Sequence, residues 1–150
     1  MPGRKIPLVT GQIYHVFDRG TNRQSTFYSK LNFVRALKAI NFYKSSKPPV
    51  KLSRFLDIAD KRQIELLEVM EKSQKLVKII AFCLMPNHFH FLLQQEVDNG
   101  ISKFLGNFQN SYTRYFNTKH KRDGNLFLDQ FKAVLVDADE QLMHVSRYIH

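Results

Sequence analysis

The chain has 150 residues, 43% hydrophobic and 24% charged, a length and balance that suit one globular domain and exclude extended disorder or a second core. No apolar run approaches the ~20 residues of a bilayer span, and Met1-Pro2-Gly3-Arg4-Lys5 lacks a signal core, which argues against a membrane span and against export. Twenty-three basic against 13 acidic residues leave a charge of +10, a surplus that attracts polyanions and nucleic acid above all, although a merely soluble basic surface would look the same.

Gln12 to Asp18 alternates Ile13, His15 and Phe17 against Tyr14 and Val16, which predicts a first strand, and Arg19-Gly20 turns the chain. From Ser29 to Lys44, Phe33, Leu37, Ile40 and Phe42 recur at helical spacing behind Ser29 as N-cap. Lys44 to Lys51, with Ser45, Ser46, Pro48 and Pro49, is the one strong break and reads as an exposed loop inside a single domain spanning residues 1–150. Asp60 to Gln74 spaces Ile64, Leu67 and Met70 as the stripe of a second helix whose Lys and Glu side faces solvent. Val77 to Leu84 is a continuous apolar run, Met85-Pro86-Asn87 a turn and His88 to Gln94 an alternating run, together an antiparallel hairpin. The lone Cys83 within it excludes a disulfide framework or a multi-cysteine zinc site and fits a buried, inert thiol in a reducing cytoplasm.

A third helix, from about Asp98 to Thr118, carries the cleanest period in the chain: Ile101, Phe104, Leu105, Phe108, Tyr112, Tyr115 and Phe116. Lys119 to Gly124 forms a basic turn and Leu126 to Val136 a last strand. Asp137, with Glu140 three residues on, caps a final helix that buries Leu142, Val145 and Ile149. The expected order is β, α, α, β, β, α, β, α.

His88-Phe89-His90 is the most informative triplet. On a strand both imidazoles project from one face, ~7 Å apart at Cβ, while Phe89 enters the core. Two such histidines can hold one divalent metal; two surface histidines on a half-exposed strand are the plainer alternative. A structural zinc would need two more ligands, so an open site points to a replaceable metal that polarises a scissile phosphate. Imidazole favours Mn²⁺ or Zn²⁺, and Mg²⁺ serves where oxygen donors complete the shell. A covalent route would need a nucleophile such as tyrosine. Tyr112 and Tyr115 lie on the third helix's core stripe, and Tyr14, Tyr28 and Tyr43 belong to no polar constellation, whereas Tyr148 falls at the border of the final helix's stripe, beside Gln141 and His144. Both a structural and a cleft-facing role stay open for it on helical geometry alone.

These residues resemble the single-tyrosine HUH transposases of the smallest insertion sequences, especially the REP-associated tyrosine transposases. Tyr14-His15-Val16-Phe17-Asp18-Arg19-Gly20 with Asn22 and Arg23 looks like their first strand and turn. Phe82 to His90 looks like their metal hairpin, Tyr112 to Asn117 like their long helix, and Gly124 to Lys132 like the following strand. Arg147-Tyr148-Ile149-His150 looks like the start of their nucleophile motif. The resemblance implies a ferredoxin-like α+β fold, an antiparallel sheet with helices packed on one face. It implies metal-dependent cleavage of single-stranded DNA near hairpins and rejoining by the reverse reaction. His88 and His90 would be the ligands of Mg²⁺ or Mn²⁺, and Tyr148 the nucleophile, forming a 5′-phosphotyrosine and leaving a 3′-hydroxyl. The family's further ligand, one helical turn past the tyrosine, would lie beyond His150, so either the chain is truncated there or another residue, such as Gln94 on the histidines' strand face, substitutes. The Asp60 to Gln74 helix is longer than the family pattern and reads as a decoration.

Arg19, Asn22 and Arg23 after the first strand and Lys119, Lys121 and Arg122 in the basic turn are the expected DNA phosphate contacts. The expected partners are single-stranded or hairpin DNA and no membrane, the chain acting as monomer or homodimer in the cytoplasm, at the nucleoid when bound to DNA. Two other readings compete: an inert hairpin-DNA-binding module of the same fold, and a metal-dependent hydrolase that activates water and tolerates Tyr148→Phe. An RNA-binding ferredoxin-like domain would show a Gly-Phe signature that Leu76 to Gln94 lacks.

Overall fold

The computed structural model describes residues 7–137. Four strands, β1 (Ile13–Arg19), β2 (Val77–Met85), β3 (His88–Gln95) and β4 (Lys132–Val136), form one sheet in the order β2-β3-β1-β4, every neighbouring pair antiparallel. Four α-helices, α1 (Lys30–Tyr43), α2 (Leu52–Leu56), α3 (Asp60–Lys72) and α4 (Gly100–His120), and a single 3-10 turn at Thr21–Arg23 complete the elements of the described residues. The architecture is the expected α+β class. The two-residue period of β1 and β3 sends Tyr14, Val16, Phe89, Phe91 and Leu93 to one face, where Phe104, Phe108 and Tyr112 of α4 meet them. Phe91 packs edge to face on Phe104 and Phe108, with ring centroids 5.5 and 5.7 Å apart, the favoured aromatic geometry.

Local chemistry explains the element ends. The Ser29 hydroxyl accepts from the Asn32 backbone N–H at 3.1 Å, capping α1. At the start of α4, a side chain on Gly100 would collide with the Leu76 carbonyl oxygen, so glycine is needed for the close approach of helix and chain. Lys121, in the left-handed region at φ 50°, ends that helix, and the Arg122 N–H returns to the Asn117 carbonyl.

Several expectations are corrected. The last strand is Lys132–Val136 only; Leu126 and Phe127, both buried, instead clamp the turn after β1 through a Gly20–Phe127 bridge and a Thr21 N–H to Leu126 carbonyl bond of 2.8 Å. Met85 belongs to β2, paired with His88, so the hairpin turn is Pro86-Asn87 alone. The stripe read on α3 is exposed at Ile64 and Leu67; the helix docks through Met70, Leu66 and Gln63, whose amide donates to the Phe55 and Ile58 carbonyls. On α1, Phe33 is exposed, and Asn32, Ala36, Ala39 and Tyr43 join the expected Ile40 and Phe42 as the buried residues. The short helix α2 had no periodic signal, since five residues make barely more than one turn. The final helix expected after Asp137 lies outside the described residues.

Candidate functional site

The histidine pair sits on the sheet face opposite α1 and α4, because Phe89 and Phe91 fill the core on the other side. The His88 and His90 rings lie 5.0 Å apart between centroids and nearly perpendicular. His88 Nδ1 is 2.8 Å from Asn87 Oδ1; an amide oxygen only accepts, so Nδ1 donates and the ring's lone pair falls on Nε2.

A third histidine, absent from the sequence-derived site, completes the cluster. The β1–β3 register pairs Phe17 with His90 and His15 with Leu92, which sets His15 diagonally beside His90. His15 Nε2 lies 3.0 Å from His90 Nδ1, the rings stack at 5.2 Å, and Phe17 packs against both at 5.0 and 5.6 Å. Its signal was there in the alternation with Phe17; the strand partner was not. Burial, followed by the neighbouring His15 and His88, lowers the His90 pKa to about 4, and burial also lowers that of His15. His90 is therefore neutral at pH 7, the form in which imidazole can bind a metal.

The turn that presents His88 is fixed by the loop after β1. The Pro86 carbonyl accepts from the Thr26 and Phe27 N–H groups at 2.6 and 3.1 Å, and the Asn87 carbonyl from the Gly20 N–H at 2.8 Å. Gly20 is required there, because a Cβ would lie 2.6 Å from the Gln24 carbonyl oxygen. The buried Tyr112 hydroxyl donates to the Thr26 carbonyl, so α4 braces the loop that braces the turn.

The expected DNA contacts converge at this same end. Arg19 pairs with His88 across the sheet, Asn22 and Arg23 follow it, and Thr21 bonds to the Asn125 and Leu126 carbonyls just beyond the basic turn. Asn22 and Arg23 both occupy the left-handed region, at φ 56° and 55°, an arrangement that costs of order 1 kcal/mol or more for each non-glycine residue. Arg19, Asn22, Arg23, Lys119 and Lys121 are exposed. Arg122 differs: it is half-buried, donating to Asn117 Oδ1 at 2.6 Å and the Asn125 carbonyl at 3.3 Å, and so holds the loop. Gln94 does not join the site. Four residues of strand rise set it ~13 Å from His90, and its amide donates to the Gly11 carbonyl. Cys83 is half-buried rather than buried, across from His90, its Sγ 3.6 Å from Met85 Sδ. Tyr148 lies outside the described residues.

The sequence model of the family described as IS200-like transposases matches residues 51–150, more than half of the chain. The chain belongs to that family. It is an enzyme that acts on DNA. In fold it is similar to a REP-associated tyrosine transposase solved bound to a REP hairpin, with a TM-score of 0.61 and 14% identity over 99% of this chain and 70% of that one. It is also similar to a candidate transposase from Deinococcus radiodurans R1, with a TM-score of 0.50 and 14% identity over 99% of this chain and 95% of the other. No curated protein matches it.

In this transposase no three or more His, Cys, Asp or Glu side chains among the described residues are grouped to hold a metal ion. The donor chemistry fits a two-ligand site: His88 with its lone pair directed to Nε2, and a neutral His90 beside it. Oxygen donors from DNA and water suit the other positions of a hard cation. No helix among the described residues is long and apolar enough to cross a membrane.

Proposed function

We propose that this transposase cuts and rejoins single-stranded DNA next to hairpins, with His88 and His90 holding Mg²⁺ or Mn²⁺ and Tyr148 as nucleophile. The observation that carries the reading is the half-buried histidine pair on the open sheet face, beside exposed Arg19, Asn22 and Arg23. The match to the family over residues 51–150, which include both histidines and Tyr148, supports it. So does the placement of the other tyrosines. Tyr14, Tyr28, Tyr43, Tyr112 and Tyr115 all lie on the helix side of the sheet with their hydroxyls engaged.

A bound metal would act as a Lewis acid on the scissile phosphate. The chain's residues supply the rest. Arg19, Arg23, Lys119 and Lys121 neutralise phosphate charge and place the strand. The Tyr148 oxygen attacks phosphorus, the P–O3′ bond breaks, and the proton lost by tyrosine is matched by one gained at the leaving 3′-hydroxyl. The reverse attack by a 3′-hydroxyl reseals the strand. Asn87 and the Pro86 clamp keep His88 oriented throughout.

The test incubates the chain with 3′-labelled hairpin DNA bearing single-stranded flanks, in Mn²⁺, Mg²⁺ or EDTA, and looks for label on denatured protein. The expected result is a metal-dependent adduct lost in Tyr148→Phe and in the His88→Ala/His90→Ala pair. Metal-dependent nicking that survives Tyr148→Phe would establish the hydrolytic route instead. The other reading is an inert hairpin-binding module of the same fold. Hairpin binding with neither adduct nor nick would decide for it.

A further inference from the structure

A second site lies on the other side of the sheet from the histidines. α1, α4 and the segment leading into α2 enclose a groove of about 750 Å³, within the size range of ligand pockets. Its lining contains four cations, Arg35, Lys51, Arg114 and Lys119, and no carboxylate. Arg35 is fixed in place: Nη2 donates to Ser111 Oγ at 3.0 Å, and the guanidinium carbon lies 5.4 Å from the centre of the Tyr115 ring. Its Nη1 is buried and has no hydrogen-bond partner among the described residues. The ion pair found among those residues, Arg62–Glu65, is elsewhere, on α3.

A guanidinium nitrogen buried with neither a hydrogen-bond partner nor a counter-charge is unfavourable unless an anion offsets it. Guanidinium presents a planar fork of donors that matches a phosphate, and the three further cations make the whole groove attractive to a polyanion rather than to a single carboxylate. Lys119 belongs both to the groove and to the basic turn at the histidine end, so the groove continues the cationic surface there. We propose that the α1–α4 groove binds the phosphate backbone of a DNA strand, the part of the substrate away from the cleavage point. This rests on the reading of the chain as an enzyme of single-stranded and hairpin DNA and extends its footprint around the end of the sheet.

The test is the salt dependence of binding, by fluorescence anisotropy, of a labelled hairpin with single-stranded flanks. Lys51→Gln/Arg114→Gln removes two exposed groove charges without touching the core. Lys61→Gln/Arg62→Gln on α3 removes the same net charge outside the groove. The groove pair is expected to bind at least about tenfold more weakly and to lose about 1.4 from the log K against log salt slope, at ~0.7 for each single-strand phosphate contact. The α3 pair is expected to shift much less. Arg35→Gln, if it folds, is expected to fall with the groove pair, and in the wild-type chain the Arg35 side-chain ¹⁵N resonance should move on addition of an oligothymidylate.

Equal effects of the groove and α3 pairs, or none from either, would overturn the groove as a strand site; the covalent-adduct assay is independent of that outcome. A wild-type chain that binds no DNA but shows the Arg35 shift with inorganic phosphate would assign the groove to a free anion, overturning this proposal and the DNA-cleaving reading together.

Discussion

Removing the Tyr112 hydroxyl isolates one link of the brace behind the histidine hairpin. In Tyr112→Phe the ring stays in its aromatic cluster, with Phe27 at 5.0 Å and Phe108 at 6.4 Å, so no cavity opens. What disappears is the donor to the Thr26 carbonyl. Tyr112 is buried, and burial raises its pKa, so the group acts as a donor and does not ionise near neutrality. A buried carbonyl left without its partner costs about 1–3 kcal/mol. With a urea m-value of ~2 kcal/mol/M, typical of a chain this size, the midpoint should fall by ~0.5–1.5 M. Tyr115→Phe is the internal comparison. Its hydroxyl donates to Asn32 Oδ1 at 3.0 Å, but Lys119 Nζ donates to the same oxygen at 3.0 Å, so the acceptor stays satisfied and the loss should be ~0.5 kcal/mol or less. Urea unfolding followed by circular dichroism measures both. A Tyr112→Phe loss no larger than that of Tyr115→Phe, at unchanged m, would refute the brace.

Gly100→Ala should destabilise by about 2–3 kcal/mol, because its methyl meets the Leu76 backbone, whereas Gly106→Ala, with open space around it in the same helix, should stabilise by up to ~1 kcal/mol; thermal unfolding checks both signs. Asp18 is buried, and desolvation raises its pKa above 3.8 despite bonds from the Arg19 N–H and the Gln109 amide. Its contribution to stability is therefore full below pH 3.8 and is lost as pH rises through the higher folded value, so Asp18→Asn should gain on the wild type as pH rises from about 4 to about 7. Denaturant midpoints across that range measure it, and a flat difference would refute the assignment. His15→Ala should lower adduct yield by about 10–100-fold without abolishing it, as expected of a group that orients a metal ligand, while His90→Ala abolishes it.

The sequence by itself determined what depends on spacing within one element. Period two placed His88 and His90 on one face and Phe89 and Phe91 on the other, and the 3.6-residue period of α4 assigned Phe104, Phe108 and Tyr112 to the core before any neighbour was known. It also carried the family, through motifs that keep their order along the chain. Tertiary structure decided what depends on which distant segments pair. The insertion of β1 between β3 and β4 brought His15 to His90 across 75 residues. The packing of α4 carried Tyr112 to Thr26, and the docking of α3 through Gln63, Leu66 and Met70 left the more regular stripe of Ile64 and Leu67 outside. Leu126 and Phe127 became a clamp rather than a strand for the same reason. Local propensity sets a residue's face, but its partner follows from register and from the shape of the surface it lands on, and neither is encoded within a window of neighbouring residues.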